Sequence, residues 1–252
     1  MTLAPGPRQM KHQDPRSHAR HTPEEKRTLD VLAQYSHELR NSLGTIRNAM
    51  HVFGAGAAGN PAQERSRVLI VRQVEQMMRL ADDLLDVSRM SHGRLKLHCT
   101  RIDLCVVIAN AMHAVECAMR QREHRMTRSF PEAPIWVRGD EERLEQVFVN
   151  LLLNAAKYTP VGGDIGVNVA LEADDAVVVI RDNGTGIPAG ILPRVFDLYV
   201  QANPSSRHEG LGLGLPLVRA LVERHGGTVT AASDGIGRGS EFSVRLPVFA
   251  QT

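Results

Sequence analysis

Apolar residues recur at alternating spacings of three and four through the first part of the chain. This heptad pattern predicts a helix with one buried seam, as in a coiled coil or a helical bundle. The seam consists of Leu29, Leu32, Ser36, Leu39, Leu43, Ile46, Met50 and Phe53. Glycines and a proline within residues 54–61 end the helix. A second stripe follows, made of Ile70, Val74, Met77, Ala81, Leu84 and Ser88. The two stripes predict a helical hairpin.

The second stripe of this hairpin is wider than a single partner helix would cover. Val71, Met78 and Leu85 extend it to a neighbouring face. Such width is expected where two hairpins pair into a four-helix bundle, so we predict a homodimer. The hairpin is predicted to occupy residues 22–92. Residues 1–21 carry prolines and basic side chains with almost nothing apolar, which predicts a disordered tail.

The pattern changes near Leu95, where short alternating runs replace the long stripes. Apolar spacing predicts helices at 104–122, 141–158 and 216–225, a short helical segment at 191–199 and a loop at 201–209. Strands are predicted at 135–137, 165–172, 176–182, 227–233 and 240–247. Because the elements do not alternate as βα units, we predict an α+β domain over residues 93–250 with an antiparallel or mixed sheet.

Composition narrows the partners and the compartment. With 30 basic and 28 acidic residues, the net charge of +2 predicts no attraction to nucleic acid or to anionic membranes. The three cysteines lack CxxC spacing, so a disulfide framework or a structural zinc site is not expected. No apolar run approaches the ~20 residues that cross a bilayer. We expect a cytoplasmic protein without a membrane span in this chain, or the cytoplasmic part of a longer protein.

The first candidate chemistry lies on the seam helix. Ser36 is the only polar residue of the seam, and His37 falls one position off it, where its ring would face water; Asn41 lies one turn further along the same side. A neutral imidazole can act as a nucleophile toward a phosphoryl group, and Glu38 could hold the proton on its other nitrogen. Asn41 could orient a water or an acceptor carboxylate. An isolated His-Glu pair also fits an ordinary solvated helix, so this hypothesis depends on the rest of the chain.

A second set of polar residues lies on the predicted helix 141–158. Asn150 and Asn154 share one face, and Lys157 and Tyr158 lie at its C-terminal end. The Asn154 carbonyl could bind Mg²⁺ that bridges phosphate oxygens, Lys157 could neutralise phosphate charge, and Tyr158 could lie against a purine. The alternative is that the two amides only cap a loop.

Two glycine-rich segments follow. In the sequence 182–188, Asp182 could accept a hydrogen bond from an exocyclic amine such as adenine N6, and Gly184, Gly186 and Ile187 form a loop that allows close backbone approach. The second segment runs into the helix at Pro216, so free amides could receive a triphosphate. It consists of Gly210, Leu211, Gly212, Leu213 and Gly214. This spacing differs from both the dinucleotide fingerprint and the P-loop.

Together these segments resemble the bacterial sensor histidine kinases of two-component systems. Residues 35–41 look like the H box of that family, 150–160 the N box, 182–188 the G1 box, 195–199 the F box, and 210–215 with 225–227 the G2 region. The five motifs occur in the family's order over residues 25–248. The resemblance implies a dimeric histidine-phosphotransfer hairpin followed by a Bergerat-type ATPase domain, an α/β sandwich that binds ATP and Mg²⁺ under a lid at 201–209.

The resemblance also implies residue roles. His37 would accept the phosphoryl group, with Glu38 as its acid/base partner, and Asn41 would assist dephosphorylation of a response regulator whose aspartate receives the phosphoryl group. Asn154 would bind Mg²⁺ and Lys157 phosphate, and Tyr158 and Asp182 would contact the adenine. The implied nucleotide-binding set further includes Asn150, Gly184, Gly186, Ile187, Gly210, Leu211, Gly212, Leu213 and Gly214.

Two other functions remain compatible with the same motifs. One is a catalytically weak or phosphatase-biased module that mainly binds a regulator. The other is a gyrase-type ATPase that hydrolyses ATP, which is disfavoured because Asn150 stands where those enzymes have a water-activating glutamate. The sequence departs from the family at Ser42, at Pro216 and at Leu211, none of which removes a group that the chemistry requires.

Overall fold

The structure is a computed structural model that describes residues 43–48, 50, 65–71, 73–74, 77–78, 86, 96–198, 200 and 212–249. Residues 43–48 and 65–71 are helical, in agreement with the predicted hairpin. The predicted tail lies outside the described residues, so it stays a prediction. In the part of the chain that the structure describes, no helix has the length and hydropathy to cross a membrane.

From residue 100 onward the described chain forms a domain of seven strands and four α-helices. The strands are β1 (Thr100–Asp103), β2 (Arg125–Ser129), β3 (Trp136–Gly139), β4 (Asp164–Glu172), β5 (Asp175–Asp182), β6 (Thr228–Ala232) and β7 (Ser240–Pro247). The helices are α1 (Leu104–Ala114), α2 (Glu116–Gln121), α3 (Glu141–Tyr158) and α4 (Gly214–Arg224), with a single 3₁₀ turn at Leu192–Arg194.

Five of the strands form one mixed sheet in the order β2-β4-β5-β7-β6, and β1 pairs with β3 in a separate ribbon. Only β2 and β4 pair in parallel within the five-stranded sheet. The antiparallel pairing of β5 with β7 sets Asp182, at the end of β5, directly opposite Ser240, at the start of β7. This register matters for the site described below.

The core lies between one face of this sheet and a layer formed by α1, α3 and α4. Alternation along β5 turns Ala176, Val178 and Ile180 into that core, and α3 contributes Phe148, which is fully buried. The opposite sheet face carries exposed ion pairs such as Arg125 with Asp164. One face of the sheet is thus buried and the other carries exposed polar side chains at the β2–β4 edge, although Val177 of β5 is also buried. The predicted α+β class and mixed sheet are confirmed.

Helix α3 matches its predicted bounds because its ends are well specified. The Asp140 side chain caps the first turn by accepting from the Arg143 N–H at 3.2 Å. The other carboxylate oxygen of Asp140 accepts from the His98 N–H at 2.8 Å, while its own N–H donates to His225 Nε2 at 3.0 Å. His225 in turn contacts the Leu221 carbonyl through Nδ1 at 2.8 Å. The start of α3 is thus joined to the preceding segment and to the end of α4.

Two predictions in this domain were wrong in detail, and two strands were not predicted. The helix predicted at 104–122 is two helices, because Val115 leaves helical geometry with ψ of −1°. The break was hidden because Val115 and Met119 are both buried and keep the apolar period. Strands β1 and β2 were not predicted. The segment predicted as helical at 191–199 forms only the 3₁₀ turn within its described residues, with Pro193 in that turn.

Candidate functional site

Helix α3 presents three of the predicted site residues on one face. Asn150, Asn154 and Tyr158 follow at intervals of four, which places them along one side of the helix. The Nδ2 atom of Asn150 is buried without a hydrogen-bond partner. A Cβ atom built on Gly214 would lie 3.9 Å from Cγ of Asn150, so this amide faces the start of α4. The structure therefore brings the α3 face together with the last glycine of the 210–214 segment.

Asp182 lies beside this helix face with its carboxylate held in place. The residue is only 6% exposed. One carboxylate oxygen accepts from the Gly184 N–H at 2.8 Å, and the other accepts from the Ser240 hydroxyl at 2.5 Å. Each carboxylate oxygen has a further lone pair, so Asp182 can accept from another donor. A base amine is a donor of this kind.

The loop after Asp182 is packed so closely that it requires glycine. Gly186 has φ of +69°, and a Cβ atom there would lie 2.0 Å from the Gly235 carbonyl oxygen. A Cβ atom on Gly184 would lie 2.5 Å from the Tyr158 carbonyl oxygen. The loop is therefore confined between the end of α3 and the turn that precedes β7, and its glycines are needed for close approach of backbones.

The sequence analysis missed the residues that hold this loop from the other side. The Gly237 N–H donates to the Thr185 carbonyl at 2.7 Å, and the Gly239 N–H donates to the Gly184 carbonyl at 3.0 Å. The Ser233 hydroxyl accepts from the Ile187 N–H at 2.9 Å. Alternate glycines at positions 235, 237 and 239 just before a strand were the available signal, since repeated glycine there indicates close backbone contact.

A cavity opens between the α3 face and the glycine loop. Its volume is about 70 Å³, small beside the roughly 300–1,000 Å³ typical of ligand sites. Apolar side chains narrow it on the side of residues 191–200. Its lining consists of Asn154, Ala155, Tyr158, Gly186, Ile187, Ile191, Val195, Val200, Leu215, Ser240 and Phe242. A purine would have to displace side chains such as Val200 and Leu215 to enter.

Lys157 and Tyr158 contact each other in this structure. Lys157 Nζ lies 3.0 Å from the Tyr158 hydroxyl oxygen and 4.6 Å from the ring centroid, which is a cation–π arrangement. Tyr158 lines the cavity, whereas the Lys157 side chain packs over the tyrosine ring. The ammonium group would have to leave the ring to reach a phosphate.

The remaining predicted site residues divide into two groups. Gly212 has φ of +67°, Leu213 is buried and precedes α4, and Gly214 begins that helix. Of these three, Gly214 lies next to the α3 face. Gly210 and Leu211 lie outside the described residues, as do His37, Glu38 and Asn41. The roles assigned to those five stay predictions.

The donor set of the site fits a magnesium-bound nucleotide. Amide oxygens are hard ligands of the type that Mg²⁺ accepts, and this ion usually takes only one or two protein ligands plus substrate phosphates. Among the described residues, no group of three or more histidine, cysteine or acidic side chains could hold a metal by itself. The unpartnered Asn150 amide leaves one buried polar group for a ligand or water to satisfy.

Two family models match consecutive parts of the chain. Residues 139–250 match the family model described as "Histidine kinase-, DNA gyrase B-, and HSP90-like ATPase". Residues 28–93 match the model of the "His Kinase A (phospho-acceptor) domain". The sensor histidine kinase TrcS of Mycobacterium tuberculosis is 34% identical over 232 residues, which are 89% of this chain and 45% of TrcS. The chain thus spans about half the length of that relative.

Solved structures share the fold. The histidine kinase AdeS of Acinetobacter baumannii superposes with a TM-score of 0.62 at 22% identity, over 85% of this chain and 98% of AdeS. The histidine kinase ThkA, crystallised in complex with the response regulator protein TrrA, gives a TM-score of 0.61 at 21% identity, over 89% of this chain and 64% of that one. With both family models matched in order, the chain belongs to the sensor histidine kinases of two-component systems.

Proposed function

We propose that this chain is an ATP-dependent protein-histidine kinase. His37 attacks the γ-phosphorus of ATP through a ring nitrogen, the bond to the β-phosphate oxygen breaks, and ADP leaves. The phosphoryl group then passes from His37 to an aspartate of a response regulator. The observation that carries the proposal is the buried Asp182 carboxylate, oriented by Ser240 and Gly184 beside the cavity that Asn154 and Tyr158 line.

The residues of the ATPase domain would bind and orient the nucleotide. Asp182 accepts a hydrogen bond from the adenine amine, and Tyr158 lies against the base. The amide of Asn154 would hold Mg²⁺, which neutralises charge on the phosphates when it is bound. Asn150 can hydrogen-bond but cannot take a proton from water, because an amide is not a base at neutral pH. This disfavours hydrolysis and favours transfer to a histidine.

The hairpin supports the proposed homodimer and the phosphoacceptor role. Seven large apolar side chains are exposed among its described residues, between 42% and 62%. They are Leu43, Met50, Val68, Leu69, Val71, Val74 and Met78. Apolar exposure of this extent is typical of an interface, and a second hairpin would cover it. We therefore infer that His37 is presented on a four-helix bundle formed by two chains, and that Glu38 and Asn41 assist its chemistry.

A response regulator is the proposed partner because the similar kinase ThkA has been crystallised with one. Its receiver aspartate would take the phosphoryl group, and Asn41 would assist its later removal. We place the reaction in the cytoplasm, where ATP is available and where free thiols persist; all three cysteines of the chain are unpaired.

Autophosphorylation with γ-labelled ATP and Mg²⁺ tests the proposal. We expect an acid-labile, base-stable label on the unaltered chain, none on His37→Gln, and an undiminished label on His113→Gln, since His113 is an exposed histidine of the ATPase domain. Equal labelling of His37→Gln would refute the assignment. Rapid phosphate release without a phosphorylated protein would favour the gyrase-type ATPase. Failure of the unaltered chain to bind any ATP analogue would favour the regulator-binding module.

A further inference from the structure

The last turn of α3 has an unusually complete set of hydrogen-bond donors. A helix leaves its final carbonyl groups without partners inside the helix. Here the Ala155 carbonyl accepts from the Thr159 N–H at 3.0 Å, and the Tyr158 carbonyl accepts from the Thr185 N–H at 2.9 Å. The carbonyls of Ala156, Lys157 and Thr159 all accept from the side chain of Arg122.

Arg122 contacts three carbonyl groups of this helix end. Its Nη1 group lies 2.7 Å from the Ala156 carbonyl oxygen, 2.7 Å from that of Lys157 and 3.2 Å from that of Thr159. A guanidinium is a rigid, permanently charged donor, and its positive charge also opposes the negative end of the helix dipole. The side chain therefore fixes both the geometry and the charge balance of the turn.

The segment around Arg122 reinforces this contact. The Arg122 carbonyl accepts from the Gly162 N–H at 2.9 Å, which ties down the turn that follows α3. The buried His124 lies with Nε2 at 2.9 Å from the Ala156 carbonyl oxygen, where it must be the donor because a carbonyl only accepts. The connection between α2 and β2 thus holds the C-terminal end of α3, although it belongs to none of the sequence motifs of the nucleotide site.

This helix end carries two residues proposed to contact the nucleotide. The side chains of Lys157 and Tyr158 leave the same turn whose carbonyls Arg122 binds, and the Tyr158 carbonyl meets the glycine loop that follows Asp182. If the turn frays, the ring of Tyr158 loses its fixed position relative to Asp182. Three of the carbonyls of this turn accept from the Arg122 guanidinium, so we expect its removal to loosen the turn.

We propose that Arg122 is a positioning residue for ATP, which fixes the last turn of α3 so that Tyr158 and Lys157 meet the bound nucleotide. The inference rests on the proposed function, because it assumes that ATP occupies the cavity. Arg122 does not line the cavity, so it acts on affinity through the helix end rather than by touching the ligand. It does not contribute to the transfer step itself.

Calorimetric titration of the full chain with Mg-ATP tests this role. We expect R122M to weaken ATP binding about five- to twenty-fold, since charge-assisted hydrogen bonds are lost, and R122K to give an intermediate affinity. The rate of phosphohistidine formation at saturating ATP should stay within about twofold, because bound ATP restores the turn. R120M is the matched control: Arg120 is exposed, lies two residues before Arg122, and its side chain pairs with Glu116.

Equal ATP affinity in R122M and the unaltered chain overturns the proposal, and so does a lower melting temperature with unchanged affinity, which would mean a purely structural cap. If R122M does not fold, R122K decides by the same criterion.

The titration also separates this inference from the proposed function. An unaltered chain that binds ATP without forming phosphohistidine contradicts the kinase proposal and leaves the Arg122 comparison valid, whereas an unaltered chain that binds no ATP overturns both.

Discussion

Ser240 donates a hydrogen bond of 2.5 Å to the carboxylate of Asp182, although the two residues are 58 positions apart in the chain. The pairing of β5 with β7 brings them together at the edge of the cavity. A carboxylate proposed to accept a hydrogen bond from the adenine amine needs a fixed orientation. The Ser240 hydroxyl binds one oxygen of this carboxylate, and the Gly184 N–H binds the other. Ser240 is therefore part of the site even though it lies outside the glycine and asparagine motifs.

We expect Ser240→Ala to weaken ATP binding, because the Asp182 carboxylate loses one of its two fixed donors. A hydrogen bond to a charged group contributes about 1.5–3 kcal/mol, part of which water would restore, so roughly a fivefold higher Kd is expected. Ser240→Thr keeps the hydroxyl and should bind normally. Ser243→Ala is the control on the same strand. Unchanged affinity in Ser240→Ala, measured by calorimetry, would show that Asp182 is oriented by other contacts.

The contrast between α3 and β2 shows which parts of the fold the sequence determines locally. Helix α3 has the bounds that its apolar spacing predicted, and a capping aspartate, two acids in the first turn and a following proline at position 160 mark its ends locally. Strand β2 has no alternating pattern, and Met126 is its only partly buried side chain. It forms because β4 offers a parallel edge, which is a long-range relation that short windows do not contain.

The same distinction applies to the candidate site. Asn154, Tyr158, Asp182 and Gly186 were predicted because each lies in a short motif with its own chemistry. Asn154, Tyr158 and Gly186 line one cavity, and Asp182 accepts from Ser240, which also lines it. Ser240 could not be predicted from spacing, since its contact with Asp182 is decided by strand register. Arg122 was equally invisible, because its partners are backbone carbonyls more than thirty residues away, which carry no sequence signature.

A comparison of two glycine substitutions separates close packing from backbone strain. Gly186 and Gly162 both have positive φ, +69° and +80°. A Cβ atom on Gly186 would lie 2.0 Å from the Gly235 carbonyl oxygen, whereas one on Gly162 would meet nothing within 4 Å. We expect Gly162→Ala to cost about 1 kcal/mol of unfolding free energy from φ strain alone, and Gly186→Ala at least about 2 kcal/mol more. Urea unfolding measures both, and equal losses would contradict the tight contact.

A buried ion pair connects the hairpin to the start of α3. Asp86 is 3% exposed and accepts from Arg143 Nη1 at 2.6 Å and from Gln146 Nε2 at 3.0 Å. Arg143 also donates to Gln146 Oε1 at 2.8 Å, which closes a three-membered network. This network holds the hairpin against α3, the helix that carries Asn150. Its loss should therefore destabilise both the hairpin and the ATPase domain.

We expect Asp86→Ala to cost roughly 3 kcal/mol, because it leaves the Arg143 charge half-buried and without its carboxylate. The double variant with Arg143→Ala should cost less than the sum of the two single losses. The exposed pair of Arg120 and Glu116 is the control, with a coupling energy of about 0.2–1 kcal/mol. Fluorescence of Trp136, the single tryptophan, reports unfolding in a double-mutant cycle. Additive losses at Asp86 and Arg143 would mean that the pair does not form in solution.

The two cysteines of the α1–α2 region should differ in reactivity. Burial of Cys105, and secondly the negative charge of Asp103, raise the pKa of its thiol above the ordinary value of 9.0. Cys117 is exposed. Only the thiolate reacts with iodoacetamide, so Cys117 should be modified well before Cys105 at pH 8. The pH at which the modification rate reaches half its maximum should be higher for Cys105 than for Cys117. Mass spectrometry of the modified peptides measures both rates in one sample.

The same pKa difference makes stability depend on alkaline pH. A thiol whose pKa is raised by folding stabilises the folded state fully below the unfolded pKa of 9.0, and that contribution is lost as pH rises through the raised value. The unaltered chain should therefore lose stability relative to Cys105→Ala above about pH 9, while Cys117→Ala, as the control, should follow the unaltered chain. Parallel unfolding curves for all three proteins between pH 7 and 10.5 would show that Cys105 titrates as an exposed thiol does and that its burial is not maintained in solution.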